Sequence, residues 1–468
     1  MASTTLPTLS SPDASRIGGD GAPVVPPGFG CEHGGFGRWL SARHSHAMVA
    51  AALGVVFILL ASTMDALWLE RSSFSGSATF DSLAAFKLAA RGLAVALGGW
   101  LLLHLGPGPW VFRDRGVLLF TIFFAFAGVT SAYSAVPLLS LTRAISFLGV
   151  LFFAVILVRY VTETGQFDLF WDGLYHVLGA FVGLVFLASL VLDAAGMQAA
   201  EGRLASLYGP NGAASLAGLA FIWSYVRLAQ GRWSAAGLVF LTLYGAFVVL
   251  ALSRGAMVTV LATCALYAVW RRRGAVSASV AAAVVGLVLL VFAGSAGGMS
   301  GLAEFFSRGH DLERIQAMNG RVPVYLYLLF EQFPQYPWFG VGFQMMSESG
   351  LEVDIPAHIA VRRGSWLPGH AHNAILQILV GTGLVGLGLY VAAWGATLRT
   401  LVKRVRRAAP KAFEALMPLT LFVLANSMVE TTLTGTIDPN FLVAAVAIGV
   451  CGATYPMERG TLLRPGTP

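Results

Sequence analysis

Charged residues are scarce in this sequence. Asp, Glu, Lys and Arg together make up 11% of its 468 residues, whereas a soluble globular chain contains about 25%. Hydrophobic residues account for 56% of the chain. This balance excludes an ordinary soluble protein, and it predicts a chain that is embedded in a membrane.

The sequence also has few cysteines, and its N-terminal residues do not have the pattern of a signal peptide. The three cysteines, Cys31, Cys264 and Cys451, do not have the spacing of metal ligands, so the sequence predicts neither a disulfide framework nor a zinc site. Residues 1–37 are rich in Pro, Gly, Ser and Thr and contain no apolar core of a signal peptide. We expect residues 1–45 to form a disordered cytoplasmic tail.

The sequence is rich in long apolar runs. Runs of about 17 to 25 residues, the length that crosses a bilayer core of about 30 Å as a helix, recur along almost the whole chain. They predict an all-α polytopic membrane protein with about twelve transmembrane helices and one large loop. The predicted spans are 46–67, 83–105, 116–134, 137–158, 172–192, 211–229, 233–252, 255–270, 276–296, 372–396, 412–431 and 440–456.

The basic residues predict how these spans are oriented. The chain has 30 Lys and Arg against 23 Asp and Glu, but they are not gathered in one stripe, so we do not expect a nucleic acid partner. They concentrate in alternate connectors, such as 271–273 and 399–411, and short cytoplasmic loops collect Lys and Arg. Both termini, 1–45 and 457–468, are therefore predicted to be cytoplasmic. Spans in 46–296 and 372–456 then enclose an outer-face loop at 297–371.

The second half of that loop has its own pattern. Residues 322–333 are aromatic and aliphatic and predict a helix that lies along the membrane interface. Prolines and glycines after it should end regular structure. Its aromatic residues either stack on sugar rings or form an interfacial belt. In the following span, the glycines at 381, 383, 386 and 388 predict close helix packing more than phosphate binding.

Three arginines stand beside turns on the predicted outer face. Arg203 precedes a YGPN turn that contains Tyr208 and Asn211, Arg254 lies in a short SRG connector, and Arg321 follows Asn-Gly in the large loop. A guanidinium offers paired donors and a permanent charge to a phosphate. Together the three arginines can hold a diphosphate. Each can also reach lipid phosphate or pair with a nearby acid instead.

The motif PGHAHN places His370, His372 and Asn373 where the large loop meets the tenth span. A neutral imidazole can take a proton from a sugar hydroxyl near neutral pH, which makes His372 a candidate base that Asn373 would orient. In the alternative interpretation, these side chains cap the helix. The sequence places no carboxylate or thiol ligands beside the two histidines, so we predict no metal and no cofactor.

An ordered set of motifs along the chain resembles one known group. The pieces are Arg203 with YGPN at 208–211, SRG at 253–255, GR at 320–321, FPQYPWFGVGF ending at 343, and HAHN before a glycine-rich span. In order and spacing they resemble the bacterial O-antigen ligase and exopolysaccharide polymerase superfamily. The resemblance implies a metal-independent, inverting membrane glycosyltransferase in the bacterial inner membrane, with the large loop in the periplasm.

The resemblance also implies roles for residues and partners. His372 would be the general base, and Arg203, Arg254 and Arg321 would face the diphosphate of an undecaprenyl diphosphate-linked oligosaccharide. Tyr208, Asn211, His370 and Asn373 join the predicted substrate-binding residues. A glycan acceptor, membrane lipid, and polysaccharide export and chain-length control proteins are the expected partners.

Three activities remain open at this point. The HAHN and GVGF forms resemble those of the exopolysaccharide polymerase branch, and the alternative within the superfamily is a ligase that joins glycan to the lipid A core. A flippase for lipid-linked glycan is the rival from another class. It would favour charges spread through the bundle and internal repeats.

Overall fold

The computed structural model describes residues 49, 52–60, 82–103, 105, 113–134, 136–194, 208–232, 234–271, 321–344, 371–406, 411–431, 433–435 and 437–453. Within these ranges every regular element is a helix, which confirms the all-α prediction. Arg203, His370 and the predicted span 276–296 lie outside the described residues.

Twelve α-helices are described, and we number them in chain order. The first, α1, covers 52–60. The others are α2 Ser82–Leu103, α3 Arg115–Val129, α4 Pro137–Glu163, α5 Phe167–Ala194, α6 Gly209–Ala229, α7 Ala235–Leu250, α8 Arg254–Trp270, α9 Arg321–Tyr327, α10 Ala374–Arg406, α11 Lys411–Ser427 and α12 Pro439–Gly452.

The lengths of these helices fit a membrane protein. Six of the described helices, α2 to α6 and α10, are long and apolar enough to cross a bilayer. Four more, α7, α8, α11 and α12, are shorter apolar helices of 10–17 residues. Each of the ten overlaps a predicted span, because the apolar runs that the sequence shows are the runs that fold as helices. The prediction of a polytopic membrane protein is confirmed.

The centre of the bundle is formed by α4 and α12. Helix α4 packs against α2, α3 and α12, and α12 is buried along its described length up to Cys451. The two backbones approach closely, since a β-carbon on Gly449 would lie 3.1 Å from Val155 Cα. The ring centroids of Phe147 and Phe441 are 4.7 Å apart. Phe343, from the large loop, packs edge-on against Phe147, so the core also anchors the loop.

Helix α10 is interrupted, and the large loop fills the interruption. Gly383 has φ 65° and ψ −168°, a conformation that is open essentially to glycine alone. The amide of Leu384 donates to Pro337 O at 2.9 Å, and on the other side of the break the amide of Val341 donates to Val380 O at 3.0 Å. The loop thus supplies hydrogen bonds that an intact helix would make internally. The glycines at this point allow close packing against a loop as well as against helices.

Helix α9 continues through a π-helical turn, Leu328–Gln332, and a 3-10 turn, Phe333–Gln335. This helical segment overlaps the helix predicted at 322–333. Val324 and Leu328 belong to one buried hydrophobic cluster with Leu379 of α10, while the side chain of Phe330 is exposed. One apolar face packing on protein and one facing outward is the arrangement expected of an interfacial helix.

Candidate functional site

The starts of α6, α8, α9 and α10 meet the end of α11. We call this the site end of the bundle, and it comprises the described residues of 208–211, 251–255, 321–344, 371–373 and 428–438. Helices that alternate in direction bring these termini to one face. The structure therefore brings together Asn211, Arg321 and His372, which are far apart in the sequence.

A single carboxylate connects these three side chains. Nδ1 of His372 lies 3.0 Å from Oε2 of Glu430. The Arg321 guanidinium donates to Oε1 of Glu430 at 2.6 Å, and Asn211 Nδ2 donates to the same oxygen at 2.8 Å. The side chains of His372, Glu430 and Arg321 are 12%, 13% and 19% exposed, so the cluster is largely shielded from solvent. Such shielding strengthens the interactions among charged groups.

The backbone around His372 is held on several sides. His372 has φ 49°, a left-handed conformation that is uncommon for a residue with a side chain. Its carbonyl accepts a hydrogen bond from the Tyr325 hydroxyl at 3.2 Å, and the amide of the preceding Ala371 donates to Gln377 Oε1 at 3.1 Å. These contacts fix the point from which the imidazole projects toward Glu430.

Asn373 caps α10. Its Oδ1 accepts a hydrogen bond from the amide of Leu376 at 3.1 Å, and its Nδ2 donates to the carbonyl of Met428 at 2.9 Å. An asparagine in this position satisfies one of the free amides of the first helical turn. The second contact joins the start of α10 to the end of α11, two residues before Glu430.

Tyr325 is a neutral neighbour of the cluster. Burial raises the pKa of the Tyr325 phenol above its ordinary value, the positive charge of Arg321 opposes this rise, and the negative charge of Glu430 adds to it. The phenol therefore keeps its proton near neutral pH. It serves as a hydrogen-bond donor to the His372 carbonyl.

Arg254 and Tyr208 lie at the borders of the cluster. Arg254 is the first residue of α8. A β-carbon on the next residue, Gly255, would lie 3.0 Å from Cγ2 of Val429, so the start of α8 rests against the residue that precedes Glu430. Tyr208 precedes α6, and its ring packs edge-on against Phe181 of α5, with 6.1 Å between the ring centroids.

The end of the described loop is fastened beside the site. The Arg143 guanidinium donates to Gln344 O at 2.8 Å, and the Gln344 amide donates to Thr434 O. The Tyr133 hydroxyl donates to Phe339 O at 2.7 Å. These contacts hold the loop segment 337–344 between α4 and the connector that follows α11.

Glu430 is the residue of this site that sequence reasoning missed. It lies at the outer end of the predicted span 412–431, and α11 ends just before it, at Ser427. A carboxylate inside a predicted span is costly and usually has a functional or structural partner. That rule was the signal that could have singled out Glu430.

Comparison with known proteins agrees with the motifs. The family model described as O-Antigen ligase matches residues 236–391, one third of the 468 residues. The matched segment contains Arg254, Arg321 and His372, and it lies between Asn211 and Glu430 in the sequence. A comparison with curated proteins gave no match. Over residues 236–391 the chain is therefore similar to the O-antigen ligase family, in agreement with the resemblance of its ordered motifs.

Proposed function

We propose that this protein is an exopolysaccharide polymerase of the inner membrane. It transfers glycan from an undecaprenyl diphosphate donor to a sugar hydroxyl at the periplasmic face, without a metal ion and with inversion. The observation that supports this proposal best is the meeting of His372 and Arg321 at Glu430. A proton acceptor and a permanent positive charge within one shielded cluster are what this transfer requires.

The arginines stabilise the leaving group. When the bond between the anomeric carbon and the donor oxygen breaks, its electron pair leaves with the diphosphate, and the added negative charge needs fixed positive partners. A guanidinium carries five N–H donors, so Arg321 can keep its contacts with Glu430 and the Val429 carbonyl and still bind a phosphate oxygen. Arg254, at the adjacent helix start, and Arg203 are proposed to complete the diphosphate site.

His372 is the proposed general base. It takes the proton of the acceptor hydroxyl while that oxygen attacks the anomeric carbon from the face opposite the diphosphate. A single direct displacement inverts the configuration at that carbon. Proton transfer by a well-placed side chain typically contributes about 10²- to 10⁴-fold to a rate.

A second activity is favoured by the family match itself, which is described as O-Antigen ligase. In that case the acceptor is the lipid A core and the donor is a finished glycan. The chemistry at His372, Arg254 and Arg321 is the same for both activities. The acceptor alone separates them, and a glycan profile identifies it.

The test is complementation of a deletion strain with His372→Ala. The variant should insert at the normal level and form less than about one hundredth of the wild-type product. The matched control is His176→Ala, because His176 is an exposed histidine on α5 away from the site end. Product of normal amount and length from His372→Ala would rule out the base.

The product that the deletion strain loses distinguishes the activities. Loss of long exopolysaccharide with intact lipopolysaccharide supports the polymerase. Loss of glycan on the lipid A core supports the ligase. Lipid-linked glycan that accumulates on the cytoplasmic side of the membrane would instead indicate a flippase and would contradict both.

A further inference from the structure

Glu430 contacts both groups on which the proposed reaction depends. The carboxylate takes no part in the displacement itself, yet its two oxygens separate the base from the donor arginine. We propose that Glu430 is a positioning residue that fixes the tautomer of His372 and links the base to the bound diphosphate. This inference rests on the proposed function and assigns Glu430 a role within it.

The contact with Glu430 distinguishes the two ring nitrogens of His372. An ionised carboxylate can accept hydrogen bonds but cannot donate them. Nδ1 of His372, 3.0 Å from Oε2 of Glu430, must therefore carry the hydrogen. In a neutral imidazole the other nitrogen is then the one without a hydrogen, and it can accept a proton. Glu430 thus assigns Nε2 of His372 as the atom that receives the acceptor proton.

The carboxylate of Glu430 is held in place by several contacts. Asn211 and Arg321 both donate to Oε1, so the carboxyl group is oriented from the side opposite His372. The amide of Glu430 also donates to Asn426 O at 2.9 Å, which ties the residue to the end of α11. A fixed carboxylate in turn fixes the plane of the imidazole ring. Partners of this kind orient functional histidines in many sites.

The charge of Glu430 couples the base to the donor site. In the structure the positive charge of Arg321 faces the negative charge of Glu430 at 2.6 Å. A bound diphosphate shares that guanidinium, so it reduces the compensation of Glu430 by Arg321. The carboxylate then stabilises the imidazolium that forms when His372 takes a proton. Binding of the donor diphosphate thereby makes His372 a stronger base. Without the bound diphosphate, proton transfer to His372 is disfavoured.

A purely structural role makes a different prediction, and the chain offers a matched control. Glu414 at the start of α11 pairs with Arg271 of the α8 end, and these side chains are 29% and 18% exposed. It is therefore another partly buried carboxylate that joins α11 to the α8 region. If Glu430 only held helices together, Glu430→Gln and Glu414→Gln would have similar effects.

The experiment compares Glu430→Gln with wild type in membranes that contain the host's own lipid-linked glycan. Glutamine keeps the length of the side chain and an oxygen for Arg321 and Asn211, but it loses the charge. We expect the rate of transfer per inserted molecule to fall about 10- to 100-fold. The acidic limb of the pH–rate profile should move to lower pH, because the carboxylate that favours the protonated ring is gone.

Two further measurements separate base from donor site. Binding of farnesyl diphosphate to the purified full-length protein should be at least as tight in Glu430→Gln as in wild type, since Arg321 is retained and no longer faces a competing carboxylate. Glu430→Asp restores the charge at shorter reach, and it should recover the wild-type pH profile with part of the rate. Glu414→Gln should leave both the rate per inserted molecule and the pH profile unchanged.

Nδ-methylhistidine at position 372 tests the tautomer directly. The methyl group blocks the contact with Glu430 and leaves Nε2 unmodified. This variant should transfer glycan measurably faster than His372→Ala, and the addition of Glu430→Gln should not slow it further. No transfer above the His372→Ala level would contradict the assignment of Nε2.

The outcomes for the two proposals are distinct. If His372→Ala is inactive while Glu430→Gln keeps the wild-type rate and pH profile, the role of Glu430 is wrong and the proposed function stands. If His372→Ala is fully active, the proposed function itself fails. Weaker farnesyl diphosphate binding with an unmoved pH profile in Glu430→Gln would indicate a structural role and overturn the inference.

Discussion

The bundle holds its charges differently at its two ends. We call the described residues of 163–172, 227–232, 234, 271, 404–406 and 411–414 the opposite end. There Asp172 pairs with Arg227 and, at 2.9 Å, with Arg232, while Glu414 pairs with Arg271. Each of these carboxylates joins neighbouring helices or connectors through a salt bridge. The arginines belong to the connectors that the sequence assigns to the cytoplasm.

At the site end one carboxylate serves three different donors. Glu430 receives a guanidinium, an amide and an imidazole from three separate segments, α9, α6 and the residues before α10. A histidine and an asparagine add no permanent charge, so this cluster differs from the ion pairs between helices at the opposite end. At the opposite end charge is balanced between helices by ion pairs, whereas the proposed function gives the imidazole and the arginine of the site end a second partner, the substrate.

The largest effect is expected at the break in α10, which supports the site end. In Gly383→Ala the new β-carbon would lie 2.2 Å from the carbonyl carbon of Trp338, at φ 65°. Strain of this kind costs about 1–3 kcal/mol before any clash, and the clash is with backbone. We expect little folded protein and no glycan product, measured by the yield of monodisperse protein and by surface glycan.

Gly388→Ala is the matched control for this break. Gly388 lies in the same helix, and a β-carbon there would meet nothing within 4 Å. Alanine at a compatible helical position usually stabilises by about 0.4–1 kcal/mol. Equal yields of the two variants would show that the loop does not depend on Gly383.

A smaller effect, on diphosphate binding, is expected when Arg321 is replaced but not when Arg271 is replaced, although the two arginines have similar surroundings. Arg321 is 19% exposed and pairs with Glu430, and Arg271 is 18% exposed and pairs with Glu414. In Arg321→Ala the affinity for farnesyl diphosphate should fall about 10- to 100-fold, since a charge-assisted hydrogen bond contributes about 1.5–3 kcal/mol. Arg271→Ala should bind the probe as wild type does, in the same calorimetric titration.

Two companion variants sharpen this test. Arg254→Ala should also weaken binding of farnesyl diphosphate, because Arg254 begins the adjacent helix. Arg321→Lys should fail to restore it, since an ammonium cannot bind a carboxylate and a phosphate with a planar fork. If Arg321→Ala and Arg271→Ala weakened binding equally, the two ends would not differ in the way proposed.

The helices were predictable from the sequence, but the break in α10 was not. An apolar run of sufficient length has few alternatives to a helix in a bilayer, because its backbone groups must be paired internally. The run at 372–396 reads as one continuous span, and glycines are common in intact membrane helices. What interrupts the helix is the loop segment 337–342, which lies about 40 residues earlier in the chain. Local sequence does not contain that contact.

The site was predictable in part for a similar reason. Alternating helix direction places Asn211, Arg321 and His372 at one face, so their neighbourhood follows from topology. The hub of the cluster, Glu430, belongs to no motif and lies outside the matched family segment. Its three hydrogen-bond partners come from α6, α9 and the residues before α10, which meet at the end of α11. A carboxylate in a predicted span indicates that some partner is present, but the sequence does not show which residues pair with it.

The smallest effect is expected from a second carboxylate of the site end, Asp438, in the connector before α12. Its oxygens accept hydrogen bonds from the Phe441 amide at 3.0 Å and from Asn440 Nδ2 at 2.9 Å. Burial raises the pKa of Asp438 to about 6, against an ordinary 3.8. The folded state therefore binds this proton more readily than the unfolded state. Its contribution to stability is present at low pH and is lost as pH rises through about 6.

Asp438→Asn should remove this pH dependence. Asparagine can still cap α12, and its amide can donate to Asn440 Oδ1, which has no hydrogen-bond partner among the described residues. At pH 8 we expect a gain of about 1–2 kcal/mol in stability, because relief from burial outweighs the lost attraction to the helix N-terminus. Asp172→Asn at the opposite end should have the opposite sign, since it leaves Arg227 and Arg232 without their carboxylate. Thermal unfolding of both variants at pH 5 and pH 8 measures this difference, and a loss of stability in both would refute it.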